Sequence, residues 1–484
     1  MKMNNRTIAF YPYSFDTNAY YGMIQEMISE RYFVVDYREL RDGIVQLDDI
    51  TDIYLNWIEN KMTDQDRRLI VDARAHGIRV YWVFHNRLAH KRGMEKECKS
   101  NLIFLIRNVS DIIILSHASI QYLYEYDGDL QADKIHYLPH QNYIGNYGAL
   151  EDKQLKKDIG QGKFVFACIG NIRSDKNIEL VIKAFKQSAY CQECVLFIVG
   201  KGESEHYIET LEQLVGDTEN IFLIPGRIPE YMMNFYVQSA DVILLPYDLQ
   251  TCMNSGIMLL AFTNQRTVIT ANISMAEEFD DQLLYKYTYR SEEEHLCNLV
   301  SQMEKAYTEG KEKVRDKGRL LYQKILTDYS QDKVKKELYQ IMEISSSDYA
   351  DTERKEYWGR EYMDKVIWRM RYAIADAWLC DVLSGNRFIQ RLKENEGEKI
   401  AIYGYGEYGK RLLAAMQKDG LHIVCIIDQN ADKIHERIPV YTLKDLRETL
   451  DMVIVTIVGA DMKSIKARCC ELNADCYVLN LKDI

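Results

Sequence analysis

Apolar residues in this chain fall into short runs rich in Val, Ile, Phe and Tyr that alternate with longer helical patterns from end to end. Short buried runs separated by amphipathic helices are the mark of βαβ units, so the pattern predicts an α/β protein built on parallel sheets. Residues 7–11 read as a first strand and 18–30 as its helix, with further strands at 33–37, 52–57, 80–84, 111–115 and 135–138. The polar, glycine-flanked segment 146–162 suits a link between lobes. A second series then starts afresh at 163–169 and continues through 195–199, 221–223 and 241–245, each run followed by a loop and a helix.

From about 281 to 395 the pattern is helical and highly charged, with Val366, Ile367, Met370, Ile374, Trp378 and Val382 on one packing face. At 396–399 this gives way to a third α/β start, IAIYGYGEYG, with strands expected at 423–427, 452–458 and 476–481. The expected organisation is an N-terminal lobe at 1–155, a second lobe at 156–345, a helical connector at 346–395 and a small Rossmann-like domain at 396–484. The last is long enough for half a dinucleotide fold only.

Composition narrows the function. With 61 Lys and Arg against 73 Asp and Glu the net charge is −12, so a chain-wide footprint for nucleic acid is missing. Eleven cysteines, an odd count, together with a start lacking a signal-peptide core, lead to the expectation of reduced thiols and a cytoplasmic location. No run approaches the 18 consecutive apolar residues of a membrane span. Of the six prolines, Pro12 closes the first predicted strand, Pro139, Pro225, Pro229 and Pro246 border loops that follow later strands, and Pro439 lies in the C-terminal domain; a fixed φ and a missing N–H do least harm where strands finish and loops begin.

Two loops carry candidate chemistry. FACIGNIRSDKN at 166–177 is a strand ending in Gly170 and Asn171, followed by Arg173 and Lys176 before a helix. Glycine lets the backbone approach a ligand, and open α/β sheets bind ligands at the carboxyl ends of their strands. LLPYDLQTCMNSGIMLLAF at 244–262 places Asn254, Ser255 and Gly256 at a helix N-terminus, where free amides and the helix dipole favour an anion. Two such loops on one sheet point to a bound nucleotide diphosphate. A third, GYGEYGK at 404–410, follows a strand and opens a helix, and Asp428 ends the next strand; Gly404, Gly406, Gly409 and Asp428 form a nucleotide-like site.

Taken together, DIYLNWIE at 52–59, GIRVYWVFHN at 77–86, SHAS at 116–119, KIHYLPHQNYIGN at 134–146, GNIRSDKNIEL at 170–180, VGKG at 199–202, PGRIPE at 225–230, ADVILLPY at 240–247 and NSG at 254–256 resemble the GT-B glycosyltransferases, in particular the nucleotide-sugar-dependent group close to glycosyltransferase family 4 and bacterial exopolysaccharide transferases. The resemblance implies two facing Rossmann-like lobes, a UDP- or GDP-sugar donor in the second and an acceptor in the first, with hexosyl transfer that needs no bound metal. Gly170, Asn171, Arg173, Lys176, Gly200, Asn254, Ser255 and Gly256 would then hold the donor diphosphate. His85 matches the histidine that contacts the donor sugar, and Arg227 and Ile228 match the loop bordering the base.

The family's two glutamates, eight positions apart, are replaced by Met253 and Ala261, which leaves the stereochemistry open. An inverting transfer would need a general base, for which Asp16 and His90 are the candidates. The expected acceptor is a carbohydrate or a polyprenyl-linked sugar of bacterial surface polysaccharide assembly. Six cations against two glutamates within 85–110 add the expectation of peripheral contact with an anionic membrane. Two other readings stand beside this one: a non-catalytic protein that binds or senses a nucleotide sugar or a carbohydrate, and an NAD-dependent sugar-modifying enzyme acting through the C-terminal domain.

Overall fold

The computed structural model describes residues 6–13, 19–88, 95–147, 162–228, 230–343, 387–394, 399–457 and 462–480. Asp16, His90 and the stripe from Val366 to Val382 lie outside them. The chain divides into two compact units, Met1–Asp351 and Thr352–Ile484.

The first unit holds two six-stranded sheets, all of whose strand pairs are parallel. In the first lobe the strands are β1 (Thr7–Tyr11), β2 (Phe33–Asp36), β3 (Asp52–Asn56), β4 (Arg79–Phe84), β5 (Asp111–Ile114) and β6 (Ile135–Tyr137), ordered β2-β1-β3-β4-β5-β6. In the second they are β7 (Phe164–Ile169), β8 (Cys194–Gly200), β9 (Ile221–Pro225), β10 (Val242–Leu245), β11 (Thr267–Ala271) and β12 (Tyr285–Tyr287), ordered β12-β11-β10-β7-β8-β9. The chain winds outward from β7 through β8 and β9, then returns to the other side of β7 at β10. Loops leaving β7 and β10 therefore part in opposite directions, and a crevice opens between them.

Local sequence explains the layers. All six residues of β7 are buried, with Val165, Ala167 and Ile169 in one apolar layer and Phe164, Phe166 and Cys168 in the other. A strand covered on both faces must be apolar throughout, which is why it reads as a continuous run. The following helix, Ile178–Gln187, buries Ile178, Val181, Ile182 and Phe185, the i, i+3, i+4, i+7 face.

The lobes are joined a second time near residue 329. Asn142 of the first crossing segment donates from its backbone to the Tyr329 carbonyl at 2.8 Å and from its side chain to that of Ile325 at 2.9 Å. Helix Gln331–Ile341 then packs on the first lobe, with Lys335 paired to Glu30 at 3.0 Å and the Tyr339 hydroxyl donating to the Met27 carbonyl at 2.7 Å.

The second unit is a five-stranded parallel sheet of β13 (Ile400–Tyr403), β14 (Ile423–Ile427), β15 (Val440–Tyr441), β16 (Met452–Val455) and β17 (Tyr477–Asn480), ordered β15-β14-β13-β16-β17. Strands β11, β12 and β15 fall where the sequence predicted none, and β12 interrupts the span expected to be helical from 281. At three and two residues, β12 and β15 are too short to show a period.

Candidate active site

The crevice at the switch between β7 and β10 is a shallow, solvent-open cleft whose lining includes Gly170, Asn171, Lys176, Pro246 and Tyr247. Its floor is backbone. Gly170 has φ +104°, and a Cβ built on Gly200 would fall 1.7 Å from the Gly170 carbonyl oxygen, so only glycine lets the ends of β7 and β8 meet. Asn177, in the left-handed region at φ 53°, donates from its side chain to the Pro246 carbonyl at 2.8 Å and fixes the two loops to each other.

The two cations expected here differ. Arg173 is clasped by Asp175 through two hydrogen bonds of 2.8 Å, so much of its charge is answered inside the loop. Lys176 is half-buried; burial, and after it the neighbouring Arg173, pull its ammonium down to about 8, with Asp175, Cys252 and Cys168 opposing. A Cβ on Gly170 would lie 3.5 Å from Lys176 Nζ and 3.4 Å from Ile257 Cδ1, which puts this amine beside the start of helix Gly256–Thr263.

That helix is capped by Ser255, whose hydroxyl accepts from Met258 N at 3.1 Å and is bonded to Tyr247 Oη at 2.7 Å. The Ser255 side chain is thus structural, and what the loop offers an anion is the first free amides and the helix dipole. Met253 and Ala261, where the resemblance looks for glutamates, are 1% and 0% exposed. A carboxylate at either place would be buried in apolar surroundings.

The first lobe meets this loop directly. Asn254 donates to the His85 carbonyl at 3.1 Å, Arg87 N to the Thr251 carbonyl at 3.3 Å, and Asn86 forms an antiparallel bridge with Cys252. His85, at the end of β4, is buried, stacks on Trp57 with ring centroids 3.5 Å apart, and contacts Asn56 Oδ1 through Nε2 at 3.0 Å. Burial, and next His140, hold its pKa well below the usual histidine range, so it is neutral and acts as a polar surface, not a cation. His140 Nδ1 donates to the Gln141 carbonyl at 2.8 Å, and burial lowers its pKa to about 4. Across the same face His117 pairs with Glu278 at 3.1 Å.

The structure therefore gathers Gly170, Lys176, Gly200, Asn254, Ser255, Gly256 and His85 around one crevice. Arg227, exposed, and Ile228, half-buried against the apolar layer, lie on the loop after β9, two strands from β7. Trp57, His140, Tyr143, Asn177 and Tyr247 complete the surroundings and were not singled out by sequence as site residues. Only Asn177 carried a local signal, a polar residue tolerant of the left-handed region directly before a helix.

In the second unit, a Cβ on Gly404 would fall 2.3 Å from Ile457 Cγ1, and one on Gly409 would fall 2.0 Å from the Gly404 carbonyl oxygen, while Gly406 faces open space. Asp428 accepts from Tyr405 N and Asn430 N, each at 2.8 Å, and so braces the glycine loop. Among the described residues no helix is long and apolar enough to cross a membrane.

Residues 151–279 match the family model described as glycosyl transferases group 1. No curated protein matches the chain. Among solved structures, the Anabaena protein Alr3699/HepE in complex with UDP-glucose is similar at TM-score 0.55 and 13% identity over 70% of this chain and 99% of that one. The same protein in complex with UDP and glucose gives TM-score 0.55 at 12% identity over 70% and 100%. Sucrose-phosphate synthase from Thermosynechococcus elongatus gives 0.51 at 12% identity over 64% and 80%. At these identities the likeness is one of fold: the first unit has the two-lobed GT-B architecture, and the group 1 glycosyl transferase match falls on its second lobe.

Proposed function

We propose that this chain is a metal-independent glycosyltransferase that moves a hexosyl group from a nucleotide diphosphate sugar, UDP- or GDP-linked, to a carbohydrate or polyprenyl-linked acceptor, in the manner of family 4 enzymes of bacterial surface polysaccharide assembly. The observation that carries this reading is the meeting of Gly170, Lys176 and the start of helix Gly256–Thr263 at the switch point of the second sheet. In the transfer, the bond from the anomeric carbon to the β-phosphate oxygen breaks and the diphosphate leaves with the electron pair. The acceptor oxygen bonds to that carbon, and its proton passes to the departing diphosphate or, in an inverting transfer, to a base of the first lobe, for which Asp16 and His90 are the candidates. Charge developing on the diphosphate would be met by Lys176 and the helix amides, a preorganised arrangement that stabilises a leaving group without a divalent ion.

HepE's complexes with UDP-glucose and with UDP make UDP-glucose the first donor to try. The test is a panel of UDP- and GDP-sugars incubated with the protein in EDTA, with release of free nucleotide diphosphate measured. Release from at least one donor is expected. Tight binding without release from any would support the sensor reading, which the apolar Met253 and Ala261 favour. Release that stops in EDTA would contradict metal independence.

A further inference from the structure

Tyr143 belongs to the segment that crosses from the first lobe to the second. Its backbone amide donates to Thr263 Oγ1 at 3.2 Å, at the last turn of helix Gly256–Thr263. Its ring runs back toward the first turn, where a Cβ built on Gly256 would lie 2.7 Å from Tyr143 Oη. The side chain is buried, at 6% exposed, and burial keeps the phenol protonated by raising its pKa.

The hydroxyl's bond to His140 Nε2 is 3.4 Å long, and because His140 Nδ1 donates to Gln141, Nε2 carries the lone pair and Tyr143 is the donor. A phosphate oxygen would offer a shorter, charge-assisted alternative. The other hydroxyl at this turn, Ser255 Oγ, is already engaged by Met258 N and Tyr247. Gly256 is therefore bordered by a buried O–H group held weakly by its present partner, while the next residue, Ile257, and Lys176 both adjoin Gly170.

We propose that Tyr143 Oη donates a hydrogen bond to the diphosphate of the bound nucleotide and is a positioning residue for the donor. The inference rests on the nucleotide-sugar reading above. It gives the anion three kinds of partner: the Lys176 amine, the helix amides and a neutral hydroxyl from the interlobe segment.

Tyr143→Phe removes the hydroxyl and keeps the ring. Binding of UDP and of uridine to wild type and variant would be measured by calorimetry and ligand-detected NMR, with the melting temperature of each protein. UDP affinity is expected to fall about ten- to a hundredfold, the range for a hydrogen bond to a charged group. Uridine affinity and melting temperature are expected to stay the same. Unchanged UDP affinity in the variant would overturn the proposal while leaving the nucleotide reading in place, and an equal loss for uridine and UDP would show the hydroxyl to be structural. Wild-type protein that binds neither UDP nor GDP would overturn the reading itself, and this proposal with it.

Discussion

Glu59 shows how one residue can matter without a sequence signal. It follows β3, is 0% exposed, accepts from Trp82 Nε1 at 3.2 Å through Oε2, and has no hydrogen-bond partner on Oε1. Burial raises its pKa from 4.5 to about 7. For an acid whose folded pKa is raised, the unfolded chain releases its proton first, so stability is fully present below about pH 4.5 and declines until about pH 7. The shift corresponds to about 3 kcal/mol. Glu59→Gln is expected to flatten this decline, giving a higher denaturant midpoint than wild type at pH 8 and a similar one at pH 4.5; parallel curves for the two proteins would refute the assignment. Lys176 titrates in the opposite sense for function. UDP affinity should weaken as pH rises through about 8, whereas Lys176→Arg, which stays charged, should bind UDP equally at pH 7 and pH 9.

At the scale of elements, what was legible follows from burial. Strands such as β7 and β10 are covered on both faces and read as apolar runs; one anion loop leaves β7 at Gly170 and the other leads from β10 to the helix start at Gly256. The partners of those loops were not legible, because Tyr143, His140 and Trp57 reach the crevice from the other lobe or the crossing segment, over separations that no local period records. Gly200 tests the element account. With a Cβ 1.7 Å from a backbone oxygen and φ at +151°, Gly200→Ala must push β7 and β8 apart. We expect a loss of several kcal/mol in stability together with the loss of UDP binding; a stable Gly200→Ala protein that still binds UDP would contradict the geometry. Gly406→Ala in the second unit meets open space and should be nearly silent in the same assay.

The whole molecule repeats one device. Each of the three sheets among the described residues starts at an interior strand, winds outward, and returns to the other side of the start, leaving a crevice at β1/β3, at β7/β10 and at β13/β16. Sequence periodicity showed three α/β starts and the loop motifs named Lys176 and the helix start at Gly256, but not that a half-buried amine, a helix N-terminus and contacts from a second lobe would meet at one crevice. In the first unit that is the β7/β10 crevice. Calorimetric titration of UDP into wild type, Lys176→Ala and Arg173→Ala tests this most directly. Lys176→Ala is expected to lose at least about tenfold in affinity, and Arg173→Ala to lose less, because the Arg173 guanidinium is already held by Asp175. Unchanged affinity in Lys176→Ala would contradict that assignment.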